Sequence, residues 1–265
     1  MKESDIKNYT FRIILNNYCN YKCNLCFNEW QGHDARHNNI SLDSLKSALE
    51  PYINEIDYLK LTGGEPLLNP NIKTITDYLT SLSLVSITTN GSLLKKWYNK
   101  LSDKILYTIS IYGYDSNSFI SYTNKTADDF VNFQNQLSVV KMEPERFSAN
   151  VLIQPNNNWN FEKFLNFCIE KGFKKIRFIT LISNNNNLVF SDNRKEVESF
   201  FETNSKYAVP NINPTVRKLS IKNVSLELVT QYSEFSSEVN SNYGFYWVNI
   251  DGSIRKAPQF DNILF

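Results

Sequence analysis

Three of the chain's four cysteines, Cys19, Cys23 and Cys26, fall within eight positions, inside the stretch NNYCNYKCNLCFNEWQGHD. Thiolates spaced C-x3-C-x2-C can wrap one small metal centre, because so short a loop brings all three sulfurs close together. A structural zinc site usually takes four protein ligands and commonly shows paired C-x2-C units. The chain has no second pair, and Cys168 sits on the apolar face of a helical pattern, as a core residue does. Four cysteines are also the norm for an iron–sulfur cluster that only carries electrons. Three leave one iron open to a substrate or cofactor, so the number is itself informative. A structural zinc loop is the competing reading.

The elements around this loop alternate short β-rich runs with longer helical ones. Strand patterns cover 9–17, 57–64, 84–91, 105–113, 147–155 and 174–183. Helical patterns cover 41–56, with Ser41 as N-cap, and then 71–82, 94–102, 127–140 and 160–172. Six strands interleaved with helices predict repeated βα units, a parallel sheet and a partial (β/α)6 TIM-like barrel of α/β class. Chemistry in such folds gathers at the carboxyl ends of the strands. The cysteine loop, GGEP (63–66), TTNG (88–91) and IYG (111–113) all fall there. The expected division is a core at 1–183 and a small α+β C-terminal extension at 184–265 covering one end of the sheet.

A chain of 265 residues with 42% apolar content supports a substantial core, and a net charge of +1 provides no general field for nucleic acid or an anionic membrane. The N-terminus lacks an apolar signal core, and no apolar run is of spanning length. These features predict a cytoplasmic protein whose thiols stay reduced.

CNYKCNLC resembles the cluster motif of the radical S-adenosylmethionine (radical SAM) enzymes, and LTGGEPLL (61–68) resembles that superfamily's methionine-binding turn. They occur in the family's order, after strands one and two, and the resemblance covers roughly residues 9–182. The wording is closest to the branch of the molybdenum-cofactor GTP cyclase, including an arginine, Arg12, seven residues before the first cysteine.

The resemblance implies a [4Fe–4S] cluster held by Cys19, Cys23 and Cys26, with the fourth iron chelating S-adenosylmethionine. Reductive cleavage would then give a 5′-deoxyadenosyl radical that abstracts hydrogen from a substrate. By the same resemblance Gly63, Gly64, Glu65 and Pro66 form the methionine turn, and Ser110 contacts the cofactor. Asn90 lies beside the cofactor, and Thr89 and Arg12 reach the substrate. Leu25 stands where the family often has an aromatic residue, so the adenine is expected against Leu25 or Phe27. Arg177 either reaches the cofactor or pairs with an acid, and Arg12 has the same alternative of a strand-end salt bridge.

The chain departs from the cyclase in its C-terminal half, which lacks the three cysteines of a second cluster; Lys256 stands near one of their places. The substrate is therefore expected to be held by side chains. A small metabolite (nucleotide, sugar or amino-acid derivative) is favoured, with flavodoxin or ferredoxin as electron donor. A peptide maturase and a non-catalytic metal-stabilised binding protein are the alternatives. His33 and His37 read as solvated loop residues, and Glu29 or one of them is open to face the substrate. The aromatic run Tyr243, Phe245, Tyr246 and Trp247 reads as packing at the barrel mouth.

Overall fold

The computed structural model describes residues 8–24, 26, 38–155, 159–180, 191–210, 216–229 and 243–256. The chain opens with β1 (Asn8–Ile14), α1 (Leu42–Leu49), β2 (Ile56–Thr62), α2 (Ile72–Leu82) and β3 (Leu84–Thr89). It continues through α3 (Leu94–Trp97), β4 (Leu106–Ile111), α4 (Ser116–Thr123), α5 (Ala127–Gln136), β5 (Phe147–Ile153), α6 (Phe161–Glu170) and β6 (Lys175–Thr180). The remainder holds α7 (Asp192–Thr203), β7 (Val216–Ile221), β8 (Val224–Val229), β9 (Tyr243–Val248) and β10 (Ile254–Lys256).

Strands β1 to β6 lie side by side in chain order, all parallel, which is the partial (β/α)6 barrel. The helices begin where the side chains ask for them. Ser41 accepts from the Ser44 N–H to start α1, and Asp115 and Thr126 form capping boxes for α4 and α5. The single helical pattern read over 41–56 breaks after Leu49, where Pro51 turns the rest, Glu50–Glu55, into a 3-10 segment.

The C-terminal extension adds strands β7 to β10. They lengthen the same sheet along both edges. β8 pairs parallel to β6 and carries antiparallel β7, while β9 pairs parallel to β1 and carries antiparallel β10. β7 is a strand that the alternation does not announce, since Arg217, Lys218 and Ser220 dilute its apolar positions. Lys222 and Asn223 both take positive φ between β7 and β8, as a two-residue hairpin turn of this hand requires.

The sheet has two unlike faces. Phe11, Leu59, Val85, Ile109, Val151 and Phe178 lie on one, fully buried in a core that also takes Leu45, Ile75, Phe133 and Phe164 from the helices. Many of the alternate positions are polar: Arg12 pairs with Lys60, Lys60 with Ser86, Thr108 with Ser148, Ser110 with Asn150, and Asn150 with Arg177, with Leu106, Leu152 and Ile179 among the apolar exceptions. Parallel sheets ordinarily bury both faces in apolar side chains. A polar inner face is therefore a lining and not a second core. The contrast predicts that Ile109→Ala destabilises by about 2–5 kcal/mol. Ser148→Ala, which loses two part-buried hydrogen bonds, to the Thr108 hydroxyl and the Tyr107 carbonyl, costs about 1–2 kcal/mol; denaturant titration of both variants checks the asymmetry.

Candidate active site

The loops after β1, β2 and β3 interlock at the carboxyl end of the sheet. The Gly64 N–H donates to the Asn16 carbonyl at 3.0 Å and the Glu65 N–H to the Tyr18 carbonyl at 2.9 Å. Asn16 Nδ2 returns a bond to the Glu65 carbonyl at 2.8 Å, and Asn69 Nδ2 donates to the Leu15 carbonyl at 3.0 Å. The Tyr18 hydroxyl donates to the Leu68 carbonyl at 3.2 Å. The cysteine loop is thereby stitched along the length of the glycine turn.

This contact explains both glycines. A Cβ on Gly63 would stand 2.6 Å from the Asn16 carbonyl oxygen, and one on Gly64 would stand 2.0 Å from the Tyr18 carbonyl oxygen. Gly63 also has φ +148°. The space a side chain would fill is occupied by the cysteine loop's own backbone.

Glu65 is fully buried and cross-links the turn to the end of β3. Its Oε1 accepts from the Leu67 N–H at 3.0 Å and from the Thr89 hydroxyl at 2.7 Å, and its Oε2 accepts from the Asn90 N–H at 2.7 Å. Burial pushes its carboxyl up to about 7, and the three donors hold it from rising further. Thr89, itself buried, is thus part of the frame. Asn90, held by its backbone, turns its Nδ2 to Cys19 Sγ at 3.5 Å and to Asn20 Oδ1 at 2.8 Å.

Cys19 also accepts from the Tyr21 N–H at 3.3 Å. Beyond it, the loop is pinned to the end of α4: the Asn24 N–H donates to the Tyr122 carbonyl at 2.9 Å, and Asn124 Nδ2 donates to the Lys22 carbonyl at 2.7 Å. Asn124 reaches there because it ends α4 in the left-handed conformation. Among the described residues no three His, Cys, Asp or Glu side chains converge on a single-ion site.

The donor set nevertheless suits a cationic cluster. Burial raises the Cys19 thiol to about 11 and the Cys23 thiol further, with repulsion from Cys26 adding to both and from Cys19 adding to Cys23. Cys19 and Cys23 stay neutral until a cationic centre draws them into thiolates, and iron supplies that charge.

The model of the Radical SAM superfamily matches residues 13–187. The chain belongs to this superfamily. Its cofactors are those of the radical SAM enzymes, S-adenosylmethionine and a [4Fe–4S] cluster. The GTP 3′,8-cyclase of Clostridium acetobutylicum is 30% identical over 187 residues, covering 64% of this chain and 55% of that protein. The probable GTP 3′,8-cyclase of Halobacterium salinarum is 33% identical over 128 residues, covering 45% of this chain and 36% of that protein. The chain thus spans about half the length, or less, of these curated relatives.

In fold it resembles Streptococcus suis SuiB, solved bound to S-adenosylmethionine. The two share a TM-score of 0.63 at 17% identity, over 94% of this chain and 60% of that one.

Among the other residues singled out from the radical SAM motifs, Ser110 lies on the inner face beside Asn150. Arg177 lies in the same row and is paired: Nε donates to Glu227 Oε2 at 2.8 Å. Arg12 sits over Trp247 and Phe245, its guanidinium carbon 4.8 Å and 5.5 Å from the ring centroids. Pro66 opens the 3-10 turn that Glu65 caps. Leu25 and Phe27, with Glu29, His33 and His37, lie outside the described residues.

Sequence reading missed Asn16, Asn20 and Tyr112, all of which stand at the cysteine loop. The one signal available was position, since all lie within three residues of a motif already singled out.

Two outcomes are expected. Gly64→Ala forces the loop from the turn and weakens cluster binding by about 10–100-fold, the range seen when groups that orient ligands are lost; iron content against circular dichroism checks it. For Glu65 the folded pKa, about 7, lies above the ordinary 4.5. The folded state therefore holds a proton that the unfolded chain releases, and stability contributed by this group falls as pH rises from about 4.5 to about 7. The loss is on the order of 3 kcal/mol. Glu65→Gln removes that slope, and denaturation curves of both proteins across this window test the assignment.

Proposed function

We propose that the chain uses S-adenosylmethionine at its cluster to abstract hydrogen from a small metabolite. The observation that carries this reading is the interlock of the cysteine loop with the glycine turn and the end of β3, above a polar inner sheet face. Cys19, Cys23 and Cys26 would ligate the cluster, leaving its fourth position for the cofactor's amino and carboxylate groups. When bound, the pair supplies a one-electron cleavage that gives methionine and a 5′-deoxyadenosyl radical.

The chain's own residues hold and screen the reactants. The turn from Gly63 to Pro66 presents backbone groups to the cofactor, and Ser110 faces it from β4. The inner face receives the substrate. There Arg12 and Lys60 are paired in register, and the Lys60 ammonium lies 5.4 Å from the Phe245 ring that Arg12 also covers. Two cations at directly paired positions suit an anionic group on the metabolite. Glu65 and Thr89 are assigned to the frame.

None of the four cysteines is in a disulfide, the protein is assigned to the cytoplasm, and flavodoxin or ferredoxin would supply the electron. Among the described residues no helix is long and apolar enough to cross a membrane.

A second reading, peptide modification, draws on SuiB solved with its precursor peptide SuiA, which matches 98% of this chain with a TM-score of 0.65 at 15% identity. That likeness is one of fold. Deuterium transfer into 5′-deoxyadenosine from a labelled small-molecule fraction, and none from a labelled peptide fraction, supports the first reading; the opposite pattern supports the second.

The proposal as a whole predicts a brown protein after anaerobic reconstitution that bleaches in air and releases 5′-deoxyadenosine with S-adenosylmethionine and dithionite. A colourless, air-stable zinc protein would instead be a metal-stabilised binding module. Cys23→Ala is expected to lose the cluster while far-ultraviolet circular dichroism stays unchanged.

A further inference from the structure

The chain as a whole is nearly neutral, with a net charge of +1, yet positive charge gathers beside the cysteine loop. Residues 78–102, which run through β3 and α3, carry three lysines and no acidic residue. Within residues 15–24 the one charged side chain is Lys22, exposed between the first two cysteines. The Glu65 carboxylate beneath these loops is fully buried and shows no charge at the surface.

The segment carrying the lysines is fastened to the site at two points. Trp97 Nε1 donates to the Leu67 carbonyl at 2.8 Å, which ties α3 to the glycine turn. Asn20, the exposed residue after Cys19, donates from Nδ2 to the Ser92 hydroxyl at 2.9 Å, and the Ser92 N–H donates to Asn90 Oδ1 at 2.9 Å. Asn90 is the residue whose Nδ2 meets Cys19 Sγ. A short run of hydrogen bonds thus joins a cluster ligand to the surface just ahead of α3.

On that surface two ammonium groups are held over one ring. Lys96 Nζ lies 5.2 Å and Lys100 Nζ 5.9 Å from the Trp97 ring centroid. Both lysines are exposed, and neither is paired with an acid among the described residues. Lys95 differs, since its Nζ donates to Asn135 Oδ1 at 2.7 Å.

We propose that the face formed by Lys96, Trp97 and Lys100, with Asn20 and Ser92 at its inner margin, is the docking site of an acidic one-electron carrier protein of the flavodoxin class. Charge complementarity is the ground. Opposed charges across an interface steer encounter and fix orientation more than they add affinity, which suits a carrier that must leave after each transfer. The carrier's reduced flavin gives up one electron and the cluster takes it, with no bond made or broken. Leu94 anchors α3 in the core outside the sheet, so a carrier seated there leaves the inner face to the substrate.

This inference rests on the cluster reading of the site, and the two fail differently. The experiment compares Lys96→Glu/Lys100→Glu with the parent, both as reconstituted full chains matched in iron content and circular dichroism. The probe is an acidic flavodoxin. Its Kd, from titration of the oxidised proteins at low salt, is expected to rise about tenfold in the variant, and the parent's affinity to fall as salt is added. Release of 5′-deoxyadenosine driven by sub-saturating reduced flavodoxin should fall by a similar factor, while release driven by dithionite stays parental. Lys104→Glu/Lys175→Glu, at the amino ends of β4 and β6, changes the net charge equally and is expected to bind flavodoxin as the parent does.

Parental flavodoxin binding by the Lys96 and Lys100 variant, or equal weakening by the Lys104 and Lys175 pair, would overturn the inference and leave the enzyme reading standing. A parent chain that yields no 5′-deoxyadenosine with dithionite would overturn the enzyme reading itself. Should the charge-reversed pair take up no cluster, Lys96→Gln/Lys100→Gln is measured instead. A weakening of about threefold with a shallower salt dependence is then expected, and parental values overturn the inference.

Discussion

The buried carboxylate of Glu65 is the interaction on which the rest of the site depends. A charge without water is tolerated only when donors replace the water, and here three do: the Leu67 and Asn90 N–H groups and the Thr89 hydroxyl. Two of these belong to the end of β3, so satisfying the carboxylate fixes the third strand's loop to the second's. Asn90 then has its backbone held, and only from that position does its amide reach Cys19. The Asn16 and Tyr18 bonds complete the chain of constraint by fastening the first loop to the same turn. A glutamine could accept at one end only and would set an N–H against an N–H at the other.

The division of the sheet into an apolar outer face and a polar inner one gives this frame its purpose. Outer residues supply the stability, and inner ones are left to recognise molecules. The extension follows the same logic. By running along the edges, β8 brings Glu227 to Arg177 and β9 brings Phe245 and Trp247 to Arg12. Ile14, Phe245 and Trp247 form a small apolar cluster of their own, apart from the main core. The edge strands thus furnish the lining with side chains that the six central strands do not carry.

The parts of this arrangement legible in the sequence were those encoded locally. Alternation of strand and helix fixes the six parallel units, and cysteine spacing with GGEP marks the site, because each is a pattern within a few residues. What was not legible depends on partners far apart in the chain. Asn16 meets Glu65 and Asn90 meets Cys19 only after the sheet has aligned their strands. A side chain at Gly63 or Gly64 would strike the Asn16 or Tyr18 backbone, a contact that no local pattern announces. The Thr89 hydroxyl likewise meets Glu65 because a buried carboxylate needs donors. Periodicity tells which face a residue takes, not which group it meets there. The same limit applies to strand order at the sheet's edges, where β8 joins β6 and β9 joins β1.

The frame also decides when the metal matters. In small zinc modules the ligands are brought together by the metal, so binding energy is folding energy. Here the cysteine loop is held by the turn after β2, by Asn90 at the end of β3 and by the end of α4, all through bonds between protein groups. The core beneath them is continuous from β1 to β8, and Cys23 is only one of its many buried members. The sheet should therefore fold without iron, and the cost of gathering the first two cysteines is met largely by that fold. What remains for the metal is charge: it converts buried, mutually repelling thiols into thiolates. Cluster loading on such a scaffold is then limited by deprotonation at Cys19 and Cys23 more than by ordering of the chain.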